Sequence, residues 1–154
     1  MKKNFLRTIL LILLLGTLFL IFDFSSQDAE KSGGLSFSIA KFILEQVNHD
    51  EIEDRQPILE RTESVIRKIA HFSIYTLVGL LLMSFVSTYD LQENKRIMIS
   101  LGIGALYATS DEIHQLFVPG RSGQVSDVIL DSMGVLLGIL IVLTALELYK
   151  KIKE

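Results

Sequence analysis

Cysteine is absent from the chain, which excludes disulfides, thiolate metal sites and cysteine nucleophiles and leaves the redox compartment unmarked. Metal-binding spacing of the H-E-x-x-H kind is missing as well. The nearest approach, Asp111-Glu112-Ile113-His114, is weak evidence for a metal, and no metal site is expected. No stripe of Lys and Arg marks a nucleic-acid-binding face, so nucleic acid is not an expected partner. Charge of either sign is modest: 21% of the 154 residues are Asp, Glu, Lys or Arg, and 18 acids against 15 bases leave a net charge of −3. Apolar residues take up the space. They make up 49% of the chain and give it a positive mean hydropathy, more apolar than an ordinary soluble domain of this size. One small domain over residues 1–154 is implied, with water only part of its solvent.

Four apolar stretches order the chain. After Met1-Lys2-Lys3, residues 5–22 are apolar apart from Arg7 and the small residues Thr8, Gly16 and Thr17, long enough to cross a hydrocarbon core of ~30 Å. A secretory signal peptide begins in the same way. Here Phe22-Asp23-Phe24 follows the apolar run and offers no small-x-small cleavage pattern, so an uncleaved anchor is the preferred reading. Residues 23–64 form a polar outer loop with ten acids against four bases and a flexible Ser32-Gly33-Gly34. Within it Phe37, Ala40, Lys41, Leu44 and Val47 recur at helical spacing, which predicts a short amphipathic helix, either resting on the membrane surface or capping the bundle.

The second apolar stretch, residues 65–86, carries Arg67, Lys68 and His71 in its first two turns and then runs uncharged. The third begins at Ile97, but its uncharged part ends at Ser110 and covers only ~21 Å. A crossing there requires the helix to continue through Asp111, Glu112, His114 and Gln115 to about Phe117, where Val118-Pro119-Gly120 breaks it. Ser126 is a plausible N-cap for the fourth, residues 126–149, which starts with Asp127 and Asp131 and ends in Lys150, Lys151 and Lys153. Lys2, Lys3, Arg7, Lys95, Arg96 and the three terminal lysines fall in stretches alternating with the acidic loop, and the positive-inside rule places both termini in the cytoplasm. The expected fold is therefore all-α: a polytopic membrane protein of four transmembrane helices with a short amphipathic helix in the first outer loop.

Counting inward from each helix's outer end places His71, Asp131 and Asp111 about 8–9 Å deep. Lys68, His71 and Tyr75 share a face at i, i+3, i+7, and Asp111 and Gln115 share one at i, i+4. Asp127, Asp131, Gly134 and Gly138 form one stripe, whose glycines allow a second helix to approach closely. A charge facing lipid near the bilayer centre costs at least ~2.5–3.5 kcal/mol, so these groups are expected to face one another or an aqueous cavity. Two explanations compete. The cluster is either glue that fixes helix register or a pocket, and convergence of a His, paired carboxylates, Arg121 and Tyr75 favours the pocket. Taken singly, His71 reads equally well as a satisfied bundle histidine, and Tyr75 reads better as an interfacial anchor. Arg121 is either a plain turn residue or a two-pronged clamp for phosphate or carboxylate.

Three blocks carry a resemblance: Phe24-Ser25-Ser26-Gln27, RKIAHFSIYTLVG over residues 67–79, and DEIHQLFVPGRSGQVSDVILDSMGVLLG over residues 111–138. On these the chain resembles the VanZ-like family of bacterial membrane proteins, associated with resistance to glycopeptide antibiotics, specifically teicoplanin. The resemblance implies a multi-pass protein of the bacterial cell membrane with a role in the envelope. It assigns the signature polar positions to Lys68, His71, Tyr75, Asp111, Glu112, Gln115, Arg121 and Asp127. Asp131 stands where related sequences look Asn-like, and adds a charge that must be paired or protonated.

Three functions follow from different classes. The leading one is an envelope factor that binds an anionic or lipid-linked ligand, a glycopeptide antibiotic or a cell-wall precursor, in an outward-facing pocket, with Arg121 and Lys68 meeting its acidic group. The second is a membrane-surface enzyme using Asp111 or Glu112 as base and His71 as acid or metal ligand. A small proton-coupled carrier is the third; homo-oligomerisation through Gly134 and Gly138 would enlarge it, although a helix contact inside the monomer explains those glycines as well. No cofactor is specified, and whether any reaction is catalysed stays open. Besides such a ligand, the lipid bilayer is the expected partner.

Overall fold

The computed structural model describes residues 2–27, 29–47 and 55–153. Five helices account for nearly all of them: α1 (Lys2–Ser25), α2 (Ala29–Val47), α3 (Arg55–Val86), α4 (Glu93–Gln115) and α5 (Val125–Lys153). No strand occurs among the described residues. Three of the helices, α1, α3 and α5, are long and apolar enough to cross a membrane. Their large hydrophobic side chains are widely exposed, Phe5, Ile12 and Phe19 on α1 and Leu140 and Ile141 on α5 among them. Aliphatic surface on this scale suits a hydrocarbon solvent rather than water.

Two boundaries differ from expectation. The expected outer loop of residues 23–64 is largely helical: α2 runs through Ser32-Gly33-Gly34, and α3 begins at Arg55, ten residues before the first apolar turn. Residues 28 and 48–54 of that loop lie outside the described residues. Pro57 permits the early start, because a proline in the first turn gives up only an N–H that has no intrahelical partner there. α2 packs against α3 and buries Ala40 completely. α4 continues without a break through Asp111, Glu112 and His114, ends at Gln115, and is followed by a turn at Pro119-Gly120 with Gly120 at φ 73°.

The most extensive contact joins α3 to α5, and its closeness comes from glycine. A Cβ at Gly138 would lie 2.2 Å from the Thr76 carbonyl oxygen, one at Gly134 would lie 2.6 Å from that of Phe72, and one at Gly79 would lie 2.1 Å from that of Val135. The two backbones therefore touch where those side chains are missing. The Gly134–Gly138 surface is thus filled by α3 of the same chain. Tyr75, Val78, Met83, Ala108, Val135 and Ile139 complete the core around this seam.

α1 adds Leu14 and Ile21 to that core and is further held by polar tethers. Arg7 donates to the Thr88 hydroxyl (3.0 Å) and carbonyl (2.8 Å) just past the end of α3, and its guanidinium lies 4.1 Å from the centre of the Tyr89 ring. Carbonyls beyond a helix C-terminus carry partial negative charge, which suits a guanidinium. Midway, the Tyr107 hydroxyl donates to the Leu18 carbonyl at 2.6 Å. At the far end, Arg121 Nη2 donates to the Phe24 carbonyl (2.7 Å) and Nε to that of Gln27 (3.0 Å), so the turn between α4 and α5 fastens the end of α1.

Candidate functional site

The first turns of α5 and the middle of α3 face each other at the end of the bundle where α4 stops. Lys68 on α3 donates to Asp127 on α5 at 2.6 Å, a half-buried ion pair. One helical turn further in, His71 Nδ1 lies 3.7 Å from Asp131 Oδ2. This distance is too long for a hydrogen bond. Asp111 on α4 approaches the same point, and one ligating atom from each of His71, Asp111 and Asp131 lies within 4.8 Å of the others. Helical rise counted along three separate helices thus anticipated a meeting that the packing realises.

The carboxylates of α4 are held by neighbours. Gln115 Nε2 donates to Asp111 Oδ2 (3.2 Å) and to Glu112 Oε1 (3.3 Å), and the other Glu112 oxygen accepts the backbone N–H of Gln124 at 2.8 Å. Glu112 therefore anchors the segment that leads into α5. Asp131 differs from both. It is fully buried, and neither of its oxygens has a hydrogen-bond partner among the described residues.

A cavity of about 110 Å³ opens between α3, α5 and the turn joining α4 to α5. Lys68, His71, Glu112, Gln115, Arg121 and Asp127 line it, six of the eight positions singled out in the sequence. The other two do not reach it. Tyr75 is fully buried beneath, flanked by His71 (ring centroids 6.5 Å apart) and Tyr107 (6.4 Å), with its hydroxyl unpartnered among the described residues. Its position is in the core rather than at an interface. Asp111 is buried behind Gln115 and joins the cavity wall only through that side chain. Arg121 is part clamp already, since two of its donors hold the end of α1. Burial and the neighbouring Arg67 charge lower its pKa from the ordinary value, but a guanidinium keeps its proton even so.

Arg67, Ser64 and Gln124 also line the cavity, and none was singled out in the sequence as a site residue. Ser64, Arg67 and His71 lie at i, i+3 and i+7 on α3, so helical spacing alone carried a signal for Arg67. Gln124 left none, because it lies in the turn before α5. His114 faces elsewhere: it stacks on Phe22 at 4.7 Å between ring centres, and its Nε2 lies 3.0 Å from the Ser26 hydroxyl. The Asp-Glu-x-His run is therefore not a local metal site.

A second cavity of about 290 Å³ adjoins the first, between α1, α2 and α3. Its wall is largely apolar, with Ile21, Phe24, Ala70 and Ile74, and it shares Arg67, His71 and Arg121 with the polar cavity. A polar chamber and a greasy one thus share three basic side chains.

A family model described as VanZ/LLP1 matches residues 8–146 and takes in both cavities together with the longer sequence blocks of α3, α4 and α5. No curated protein matches the chain, and no solved structure does. With three helices suited to crossing a membrane and a family match along nearly its whole length, this membrane protein belongs to the VanZ/LLP1 family.

Proposed function

We propose that the chain is a single-domain, four-span protein of the bacterial cell envelope that binds an anionic or lipid-linked ligand, a glycopeptide antibiotic or a cell-wall precursor, in a pocket open to the outer face. The observation that carries this reading is the pairing of the two cavities through Arg67, His71 and Arg121. An anionic headgroup finds guanidinium donors on one side of those residues, and an acyl or prenyl chain finds apolar wall on the other.

The fourth crossing is α4. Its 23 residues extend ~35 Å, and its polar end turns Asp111, Glu112 and Gln115 into the protein, where each is buried. Both termini are cytoplasmic: Lys95, Arg96, Lys150, Lys151 and Lys153 gather at the bundle end away from the cavity, as the positive-inside rule requires. α2 then lies along the outer interface with Phe42 and Ile43 exposed to the headgroup region and Lys41 and Glu45 paired at 3.9 Å on its surface.

Teicoplanin susceptibility of a Gram-positive host provides the test. Cells expressing the wild type are compared with cells expressing Arg67→Gln and Lys68→Gln at equal abundance and unchanged topology, and the purified proteins are assayed for binding of teicoplanin and of a polyprenyl phosphate. Protection and binding that fall together in the variants support the pocket. Binding of both compounds at wild-type strength by both variants refutes it.

A second reading, a membrane-surface enzyme, draws support from Glu112 and His71 both lining the polar cavity. A carboxylate and an imidazole across a small cavity are a workable base and acid. Hydrolysis of a lipid-linked phosphate by the wild type and its loss in Glu112→Gln would favour this reading over simple binding.

A further inference from the structure

We infer that His71, Asp111 and Asp131 form a binding site for one divalent transition-metal ion at the floor of the polar cavity. The site adds to the ligand-binding reading and is tested without any ligand. Its donors come from α3, α4 and α5, one each, which is why no spacing within a single helix signals it. The three ligating atoms already lie within 4.8 Å of one another. Metal–ligand bonds of ~2.0–2.2 Å place three donors on one ion ~3.4–3.8 Å from one another, a spacing that His71 and Asp131 have already at 3.7 Å. A side-chain rotation that carries the Asp111 oxygen inward by about 1 Å closes the remaining difference.

Independent evidence comes from Asp131. A fully buried carboxylate with neither oxygen hydrogen-bonded among the described residues is costly, and His71 at 3.7 Å is too distant to relieve it by a hydrogen bond. Lys68 cannot help, because it is engaged with Asp127 at 2.6 Å. An ion placed between the three groups gives Asp131 a partner, and two carboxylates with a neutral imidazole balance its double charge. Gln115 already performs the outer-shell task such a site needs: its amide holds Asp111 by one oxygen and leaves the other directed elsewhere. One imidazole with two carboxylates suits Zn²⁺, Mn²⁺ or Fe²⁺ rather than Ca²⁺ or a thiolate-loving ion. Because His71 and Asp131 line the cavity, the remaining coordination positions face the chamber, where a phosphate or carboxylate oxygen of a ligand can complete the shell.

The test uses the full chain in lipid nanodiscs, stripped with chelator, dialysed separately against Zn²⁺ and Mn²⁺ and analysed for bound metal by mass spectrometry. The wild type is expected to retain about one equivalent of at least one ion, with affinity at least ~10-fold lower in Asp131→Asn and His71→Ala and unchanged in Lys68→Gln. Retention of neither ion above background by the wild type overturns the proposal. So does wild-type affinity in both ligand variants. Should the variants fail to fold, double-resonance spectroscopy of the Mn²⁺-loaded wild type decides: coupling to a single imidazole nitrogen is expected, and its absence overturns the assignment. Since Lys68→Gln separates metal from ligand, a metal-free protein that still binds teicoplanin removes this inference and leaves the pocket standing.

Discussion

Gly138→Ala is expected to force α3 and α5 apart, and the size of the effect follows from the contacts at that position. The added methyl group would lie 2.2 Å from the Thr76 carbonyl oxygen and 2.5 Å from the Leu80 nitrogen, both backbone atoms. No side-chain rotation can relieve either clash. Restoring an ordinary contact opens the seam by about 1 Å. Overpacking of this kind costs ~3 kcal/mol, and exchanging glycine for alanine inside a helix returns ~1 kcal/mol, leaving ~2 kcal/mol of net destabilisation. For a chain of this size each kcal/mol shifts the melting midpoint by ~2–4 °C, so a drop of ~4–8 °C is expected. Tryptophan is absent, so unfolding is best followed by circular dichroism in detergent or by size-exclusion of a fluorescent fusion after heating. Gly102→Ala is the control, since nothing lies within 4 Å of its added Cβ; that variant should melt at or slightly above the wild type. If Gly138→Ala melts with the control, the close α3–α5 seam is not where the structure puts it.

Three further outcomes are expected. Arg121→Ala removes both donors to the Phe24 and Gln27 carbonyls and should destabilise the protein by ~1.5–3 kcal/mol; equal melting of wild type and variant would show that α1 does not depend on this tether. A double-mutant cycle on Lys68 and Asp127 should give a coupling below ~1 kcal/mol, because the lysine side chain is 44% exposed. A much larger coupling would mean that the pair is sealed from solvent. Gly120→Ala places a side chain at φ 73° and should cost ~1 kcal/mol, measurable in the same melts, whereas a stabilised variant would contradict the left-handed turn.

What the sequence made legible was depth along a helix. A fixed rise per residue was enough to place His71, Asp111 and Asp131 at one level, and the packing brings them together. It also required α4 to continue through Asp111 and Glu112, as the helix does. The start of α3 was not legible. Pro57 and the charged residues around it read as loop by composition, while the backbone needs only that the proline fall in the first turn. The wall of the cavity was partly hidden for another reason. Gln124 acts through its main-chain N–H on Glu112, a contact that any residue other than proline could make, so its identity carries no signal. The burial of Tyr75 was not legible, because the sequence gives its face on α3 but not the presence of Tyr107 and His71 on either side.

The two arginine tethers turn α1 into a ruler. Arg7 grips the chain beyond α3 at one end and Arg121 grips Phe24 at the other, so the number of residues between Arg7 and Phe24 is fixed even though most side chains between them, Leu14, Thr17 and Ile21 apart, face outward. Inserting a single residue there advances the helix ~1.5 Å and turns it ~100°. No slide or roll of α1 then satisfies both grips at once. Substitutions at the outward-facing positions of this span should be tolerated in abundance while single-residue insertions and deletions are not, a pattern opposite to that of a surface loop.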